Sequence, residues 1–197
     1  MQPWAAEVYK ANRKGMQNFN RGNEAGDYAM YPYCLPQGMP RAFTNGVPFE
    51  IVQTPNVVYV LFEGNHLVRR IYTDGKKHLE GWTDSFMGVS TGHWEGGTLV
   101  AETANLVGLD GHAWLDYFGH PHSDALRVTE RFRRTDHNTL QIDFLFDDPK
   151  AYTRPWPGKK VFELKPTWDM TEQITCQDHQ LGEYQEDMAH GKPRGAP

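Results

Sequence analysis

Cysteine is nearly absent from this chain of 197 residues, which contains only Cys34 and Cys176. Two thiols so far apart, with no CxxC pair, argue against a cysteine-built metal centre. They leave two readings open: one disulfide tying an N-terminal arm to a C-terminal strand, or two buried free thiols. Long apolar runs are missing as well, and none approaches the roughly 18 residues of a membrane span. The opening stretch MQPWAAEVYKANRKG lacks the apolar core of an export signal. Nor does one sign of charge dominate. The 20 Lys and Arg stand against 25 Asp and Glu, interspersed, for a net charge of −5 with histidine neutral. Phosphate contacts need a concentrated basic surface, so a general nucleic-acid binder is not expected, and Arg131, Arg133 and Arg134 read as a solvated strand edge. Several catalytic signatures are also lacking. There is no GxSxG elbow, no HExxH, and no Lys with Ser or Thr after Gly96-Gly97 to make a phosphate cradle.

What is present is a β pattern. Residues 5–20 suit one short helix, and Gly22 to Gly46 is rich in Gly, Pro, Tyr and Met, as expected of an irregular arm over a barrel mouth or sheet edge. From Pro48 onward nine strand candidates follow: PFEIVQ, NVVYVLFE, HLVRRIYT, FMGVSTGHW, GTLVAET, ALRVTERFRR, TLQIDFLF, KKVFELK and DMTEQITC. Turn formers separate them, among them Thr54-Pro55, Gly64-Asn65, Asp74-Gly75, Gly96-Gly97 and Asp136-His137-Asn138. Short gaps imply hairpins in succession. The fold expected is all-β: an antiparallel meander forming a lipocalin-like barrel or a two-sheet sandwich. Residues 1–47 are then helix and arm, 48–177 the β domain, and 178–197 a polar tail.

Period-two alternation sorts side chains onto faces. The odd loop at Asp136-His137-Asn138 puts Leu140, Ile142, Phe144 and Phe146 on one face with Val128, Glu130 and Phe132. Glu130 is then a carboxylate on the apolar side. It needs an inward arginine such as Arg69 or Arg70, or it has a ligand-binding or proton-transfer role. A two-residue turn at Gly96-Gly97 puts His93 opposite Val100 and Thr91 opposite Glu102, so His93 and Glu102 share a face as a candidate dyad. His66, Arg70, Tyr72 and, across the pair, Tyr59 share another mixed face. It reads either as a wet pocket wall or as a solvated surface.

The segment Ala104 to Asp124 is too long for a plain connection and holds His112, His120 and His122, the last two flanking Pro121. In an extended segment His120 and His122 point the same way, a spacing that metal ligands use. His112, His93, Glu102, Asp116 and Asp124 could complete such a site. A metal-free pair working in acid–base chemistry, or gripping a polar ligand, is the favoured reading. Aromatic residues near the loops, Trp82, Trp94, Trp114, Tyr117, Phe118, Tyr152 and Trp156, could wall a pocket for a flat ligand.

The blocks RRIYTDGKKH, GHWEGGTLVAET, GHPHSDALRVTERFRR and DDPKAYTRPW resemble a family of small, exported, β-rich bacterial proteins. That resemblance covers about Tyr33 to Cys176. It implies a periplasmic or secreted setting, tilts the cysteines toward a disulfide, and brings no catalytic residues with it. Together the residues lead us to expect an enzyme of lyase, isomerase or cyclase type acting on a small aromatic or polycyclic molecule. No organic cofactor is expected, and a divalent metal is the alternative. His120, His122, Glu130 and His93 are the expected acid–base groups. A non-catalytic carrier of a hydrophobic ligand is the second expectation, and the oligomeric state is left open.

Overall fold

The computed structural model describes residues 1–20, 36–44, 46–76, 81–108 and 113–171. Helix α1 (Pro3–Asn20) precedes eight strands: β1 (Phe49–Gln53), β2 (Val57–Phe62), β3 (Val68–Tyr72), β4 (Val89–Glu95), β5 (Thr98–Ala104), β6 (Arg127–Arg134), β7 (Thr139–Asp147) and β8 (Trp156–Glu163). They form one sheet in sequence order, curled into a half-barrel. The all-β, barrel-like expectation holds. Among the described residues no helix is long and apolar enough to cross a membrane.

One pairing departs from a pure meander. β3 and β4 run parallel, with Ile71 opposite Ser90 and Tyr72 opposite Thr91. Parallel neighbours need a crossover of about a dozen residues or more, and the stretch from 73 to 88 provides it. The other six pairings are antiparallel. The ninth strand candidate, DMTEQITC, does not appear as a strand up to Thr171, and its remainder lies outside the described residues.

The inner face follows the alternation. Val58, Val60, Phe62, Ile71, Leu99, Ala101, Val128, Phe132, Ile142, Phe144 and Phe146 are all buried. What fills the hollow comes from the arm. Rather than lying over a mouth, residues 38–44 enter the curl, and Met39, Ala42 and Phe43 are buried in the core. Gly38 makes the entry possible. Its φ is +65°, and a Cβ there would sit 2.3 Å from the Phe86 carbonyl oxygen, which accepts from the Met39 N–H at 2.8 Å. Phe43 then meets Phe49, Phe62 and Phe132 edge-on, at centroid distances of 5.2, 5.0 and 5.9 Å. Phe162 of β8 touches Phe49 of β1 at 4.8 Å, so these rings join the two edge strands. The interior is a packed core.

α1 lies on the outside, fastened at its start. Gln2 N–H donates to Ala151 O at 2.8 Å, Trp4 Nε1 donates to Lys150 O at 2.7 Å, and Ala5 is buried. Further along, Asn12 Nδ2 donates to Gly119 O at 2.8 Å in a buried contact. The helix thereby clamps the turn at residues 116–120 against the sheet.

Candidate functional site

Glu130 is fully buried, as its place in the apolar stripe demands, and its partner is Arg69. The guanidinium meets the carboxylate in a two-pronged pair: Nη1 donates to Oε1 at 2.9 Å, and Nη2 donates to Oε2. Arg69 Nε also donates to Ser90 Oγ at 3.1 Å, and Nη2 to Thr103 Oγ1 at 2.8 Å. Ser90 and Thr103 are 2.8 Å apart, and the Phe43 and Phe132 rings lie within 6 Å of the guanidinium carbon. Buried ions survive only when paired and hydrogen-bonded, and this set meets both conditions. Both carboxylate oxygens are taken, so Glu130 works here as structure.

The outer face holds another group of candidates apart from the rest. Arg70 is exposed, and Tyr59 and Tyr72 half-buried, on the side opposite Arg69 and Ile71. His66, by contrast, is exposed in the tight turn Gly64–His66 ahead of β3, off the strand face where alternation puts it. Tyr59 stands opposite Arg70, as the pattern required, on a solvated surface. The register of β4 and β5 is also as expected, with His93 opposite Val100 and Thr91 opposite Glu102. However, His93 turns to Glu95 at 3.2 Å, and Glu95 in turn accepts from Arg131 at 2.6 Å. This trio is exposed, and the arginine beside Glu95 holds its carboxyl below the usual range. Glu102 is exposed without joining it. Trp82 is exposed too, its carbonyl accepting from Asn105 Nδ2 at 3.0 Å.

The loop ahead of β6 brings the remaining candidates together. Residues 113–122 fold back on themselves through a bridge between Trp114 and Pro121, with Leu115 N–H to His120 O at 2.7 Å and His122 N–H to Ala113 O at 3.1 Å. Asp116 organises the turn. Its Oδ1 accepts from the N–H groups of Phe118 and His120 at 2.9 and 3.3 Å, and its Oδ2 lies 2.8 Å from His120 Nδ1. The His120 imidazole stacks on Tyr9 of α1 at 4.4 Å and 17°, and borders Trp156 at 5.6 Å. Tyr152 lies 5.6 Å from Trp156 and donates from its hydroxyl to Pro121 O at 2.8 Å. Burial pushes that phenol well above its ordinary range, so it stays protonated. His120 is part-exposed, and Tyr117 and Phe118 stand out beside it. Trp114 is buried under Arg41, whose guanidinium carbon is 4.6 Å from its ring.

His122 has a different setting although only Pro121 separates it from His120. It is buried, and its Nδ1 donates to Ser123 O at 3.0 Å. Ser123 Oγ in turn donates to Asp148 at 2.7 Å, away from the imidazole, so no Ser–His–Asp nucleophile is assembled. Asp148 is buried and also accepts from the N–H groups of Ser123, Lys150 and Ala151, which fixes the corner before β8. Among the described residues no group of three or more His, Cys, Asp or Glu side chains could hold a metal ion. His112, Cys34 and Cys176 lie outside the described residues, and so does the proposed disulfide.

Burial lowers the pKa of His122 from its ordinary 6.5, because charging the ring inside the protein costs solvation. The folded form therefore resists a proton that the unfolded chain takes up below about pH 6.5. Its contribution to stability is full above that pH and falls as the medium becomes more acid. His122→Gln should accordingly show a smaller drop in Tm between neutral and mildly acid buffer than the parent. Equal drops in both would contradict this.

Sequence reasoning missed Tyr9 and used Asp116 only as a metal candidate. The spacing Asp116-x-x-x-His120 was a usable signal, but nothing in the sequence tied a helix residue such as Tyr9 to that turn. No family model matches the chain, and no curated protein or solved structure matches it either. The likeness of the GHWEGGTLVAET and GHPHSD blocks to exported β-rich proteins therefore stays a resemblance.

Proposed function

We propose that the protein is a cofactor-independent acid–base enzyme for a small aromatic molecule, working at the rim of the half-barrel with His120 as its proton-transfer group. The observation that carries this is the 2.8 Å contact between Asp116 Oδ2 and His120 Nδ1, in a part-exposed imidazole bedded on Tyr9. A carboxylate on Nδ1 fixes the tautomer that leaves the Nε2 lone pair free to take a proton, and it stabilises the imidazolium that results. Among the described residues, Nε2 has no hydrogen-bond partner. Tyr9, Trp156 and the exposed Tyr117 and Phe118 supply flat apolar surface for an aromatic substrate. The filled interior argues against the alternative of a ligand carried inside the barrel. The exported setting, with a disulfide between Cys34 and Cys176, is proposed on the resemblance alone.

Nitrobenzisoxazole tests the reading without knowledge of the natural substrate. Loss of its ring C–H proton to a base opens the N–O bond and releases a coloured cyanophenolate, with no cofactor involved. The protein should accelerate this opening over buffer, and His120→Ala should lower the acceleration by roughly a hundredfold or more, the usual share of a positioned base. Asp116→Asn, which removes the carboxylate that fixes the tautomer, should lower it less. Equal rates for His120→Ala and the parent would overturn the proposal.

A further inference from the structure

The groups around the dyad carry a charge asymmetry. The carboxylate of Asp116 is committed to His120 and two backbone N–H groups, whereas among the described residues the cations on α1 meet no acid. One turn after Tyr9, Arg13 places its guanidinium carbon 5.9 Å from the centre of the exposed Phe118 ring. Among the described residues it has no carboxylate partner, and neither do Lys10 and Lys14. Contacts run in step along the helix: Tyr9 on His120, Asn12 on Gly119, Arg13 on Phe118. An open groove of about 610 Å³ runs along α1. Its described wall is Glu7, Tyr9, Lys10, Ala11, Arg13 and Lys14, three cations to one acid.

A second, independent observation lies beside His120. The indole N–H of Trp156 is buried and, among the described residues, has no hydrogen-bond partner. Buried donors are rarely left this way, since burial strips the group of water and an unmade bond puts nothing in its place. The ring that carries it borders His120 at 5.6 Å. An unanswered donor on the ring beside His120 and an uncommitted guanidinium one turn after Tyr9 both call for a ligand oxygen.

From these we infer that the ligand of the Asp116–His120 site is a small aromatic carboxylate, its negative charge met by Arg13 and an oxygen accepting from Trp156 Nε1. The inference rests on the site proposed above, and it names the ligand class. A planar ring continues the Tyr9–His120 stack. The carboxylate supplies the acceptor oxygens that a fixed guanidinium prefers to meet in pairs. Arg13 is a binding group, while the proton transfer stays with His120.

Naphthoate and its neutral analogue naphthamide separate charge from shape. Titrated into nitrogen-labelled full-length protein, naphthoate should move the indole N–H signal of Trp156 and the ring signals of His120. Naphthamide should bind at least about tenfold more weakly, the size of one lost charge-assisted contact. Arg13→Gln should abolish the difference between the two, and high salt should narrow it. Naphthamide binding as tightly as naphthoate, or Arg13→Gln binding naphthoate like the parent, would overturn the inference. So would saturation with naphthoate that leaves the Trp156 signal unmoved. Its failure is distinguishable from that of the catalytic reading, because the opening of nitrobenzisoxazole and the preference for naphthoate over naphthamide are separate readouts on the same parent protein. Charge-selective binding without catalysis would keep the ligand class and remove the enzyme.

Discussion

Glu130→Ala should destabilise the fold by about 3–5 kcal/mol, the range for breaking a buried ion pair from one side. The reason is the partner left behind. Arg69 is buried and would keep Ser90 and Thr103 as neighbours, but neither hydroxyl neutralises a guanidinium. Arg69 cannot escape by losing its proton, since arginine stays charged in proteins. It must then draw water into the core or expose itself by opening β3 from β4, the parallel pairing with only two registered pairs. Exchanging both partners for apolar residues, Arg69→Met with Glu130→Leu, should cost far less than the single change and could even stabilise. Urea unfolding of the two single variants and the double closes the cycle. A loss below about 1 kcal/mol for Glu130→Ala would mean that the carboxylate is not what holds the guanidinium in the core.

Much of the sheet was legible because alternation and loop length fix register together. Glu130 opposite Phe144 and Phe132 opposite Ile142 follow from an odd loop after Arg134. His93 opposite Val100 follows from a two-residue turn. What alternation could not choose was which face of β3 turns inward, since either face carries an arginine. The buried ion pair decided it for Arg69, leaving Arg70, Tyr72 and Tyr59 outside. The parallel step between β3 and β4 was hidden in a connection that reads only as irregular. The candidate site was half visible. His120 stood out through its spacing from His122 and the length of its loop, but shared spacing did not mean shared function. His122 bonds the carbonyl of Ser123 inside the protein, while His120 takes Asp116 at the rim. Tyr9 and Arg13 were invisible because their contacts are set by where α1 docks, which follows from Trp4 reaching Lys150 O and Asn12 reaching Gly119 O, distant points in the chain.

Phe43→Ala should be as damaging as the loss of Glu130, at about 3–5 kcal/mol, the range for truncating a buried phenylalanine. Phe43 is the only one of these rings that does not belong to the sheet it fills. It reaches Phe49 of β1, Phe62 of β2, Phe132 of β6, Phe144 of β7 and Phe162 of β8, all at centroid distances of 5.0 to 6.1 Å. An open sheet gains such a centre only by curling, so the ring acts as the form around which the half-barrel closes. Its face also lies 5.9 Å from the Arg69 guanidinium carbon, and removal would thin the cover over the buried ion pair. Phe43→Leu keeps most of the apolar volume and should retain more than half of the stability that the alanine variant loses. The unfolding midpoint in urea measures the loss. Backbone hydrogen exchange along β1 and β8 locates it, because the Phe49–Phe162 contact between these edges depends on the same cluster. If the alanine variant unfolds within about 1 kcal/mol of the parent, with β1 and β8 as protected as before, the curl is a property of the strands themselves and Phe43 merely occupies it.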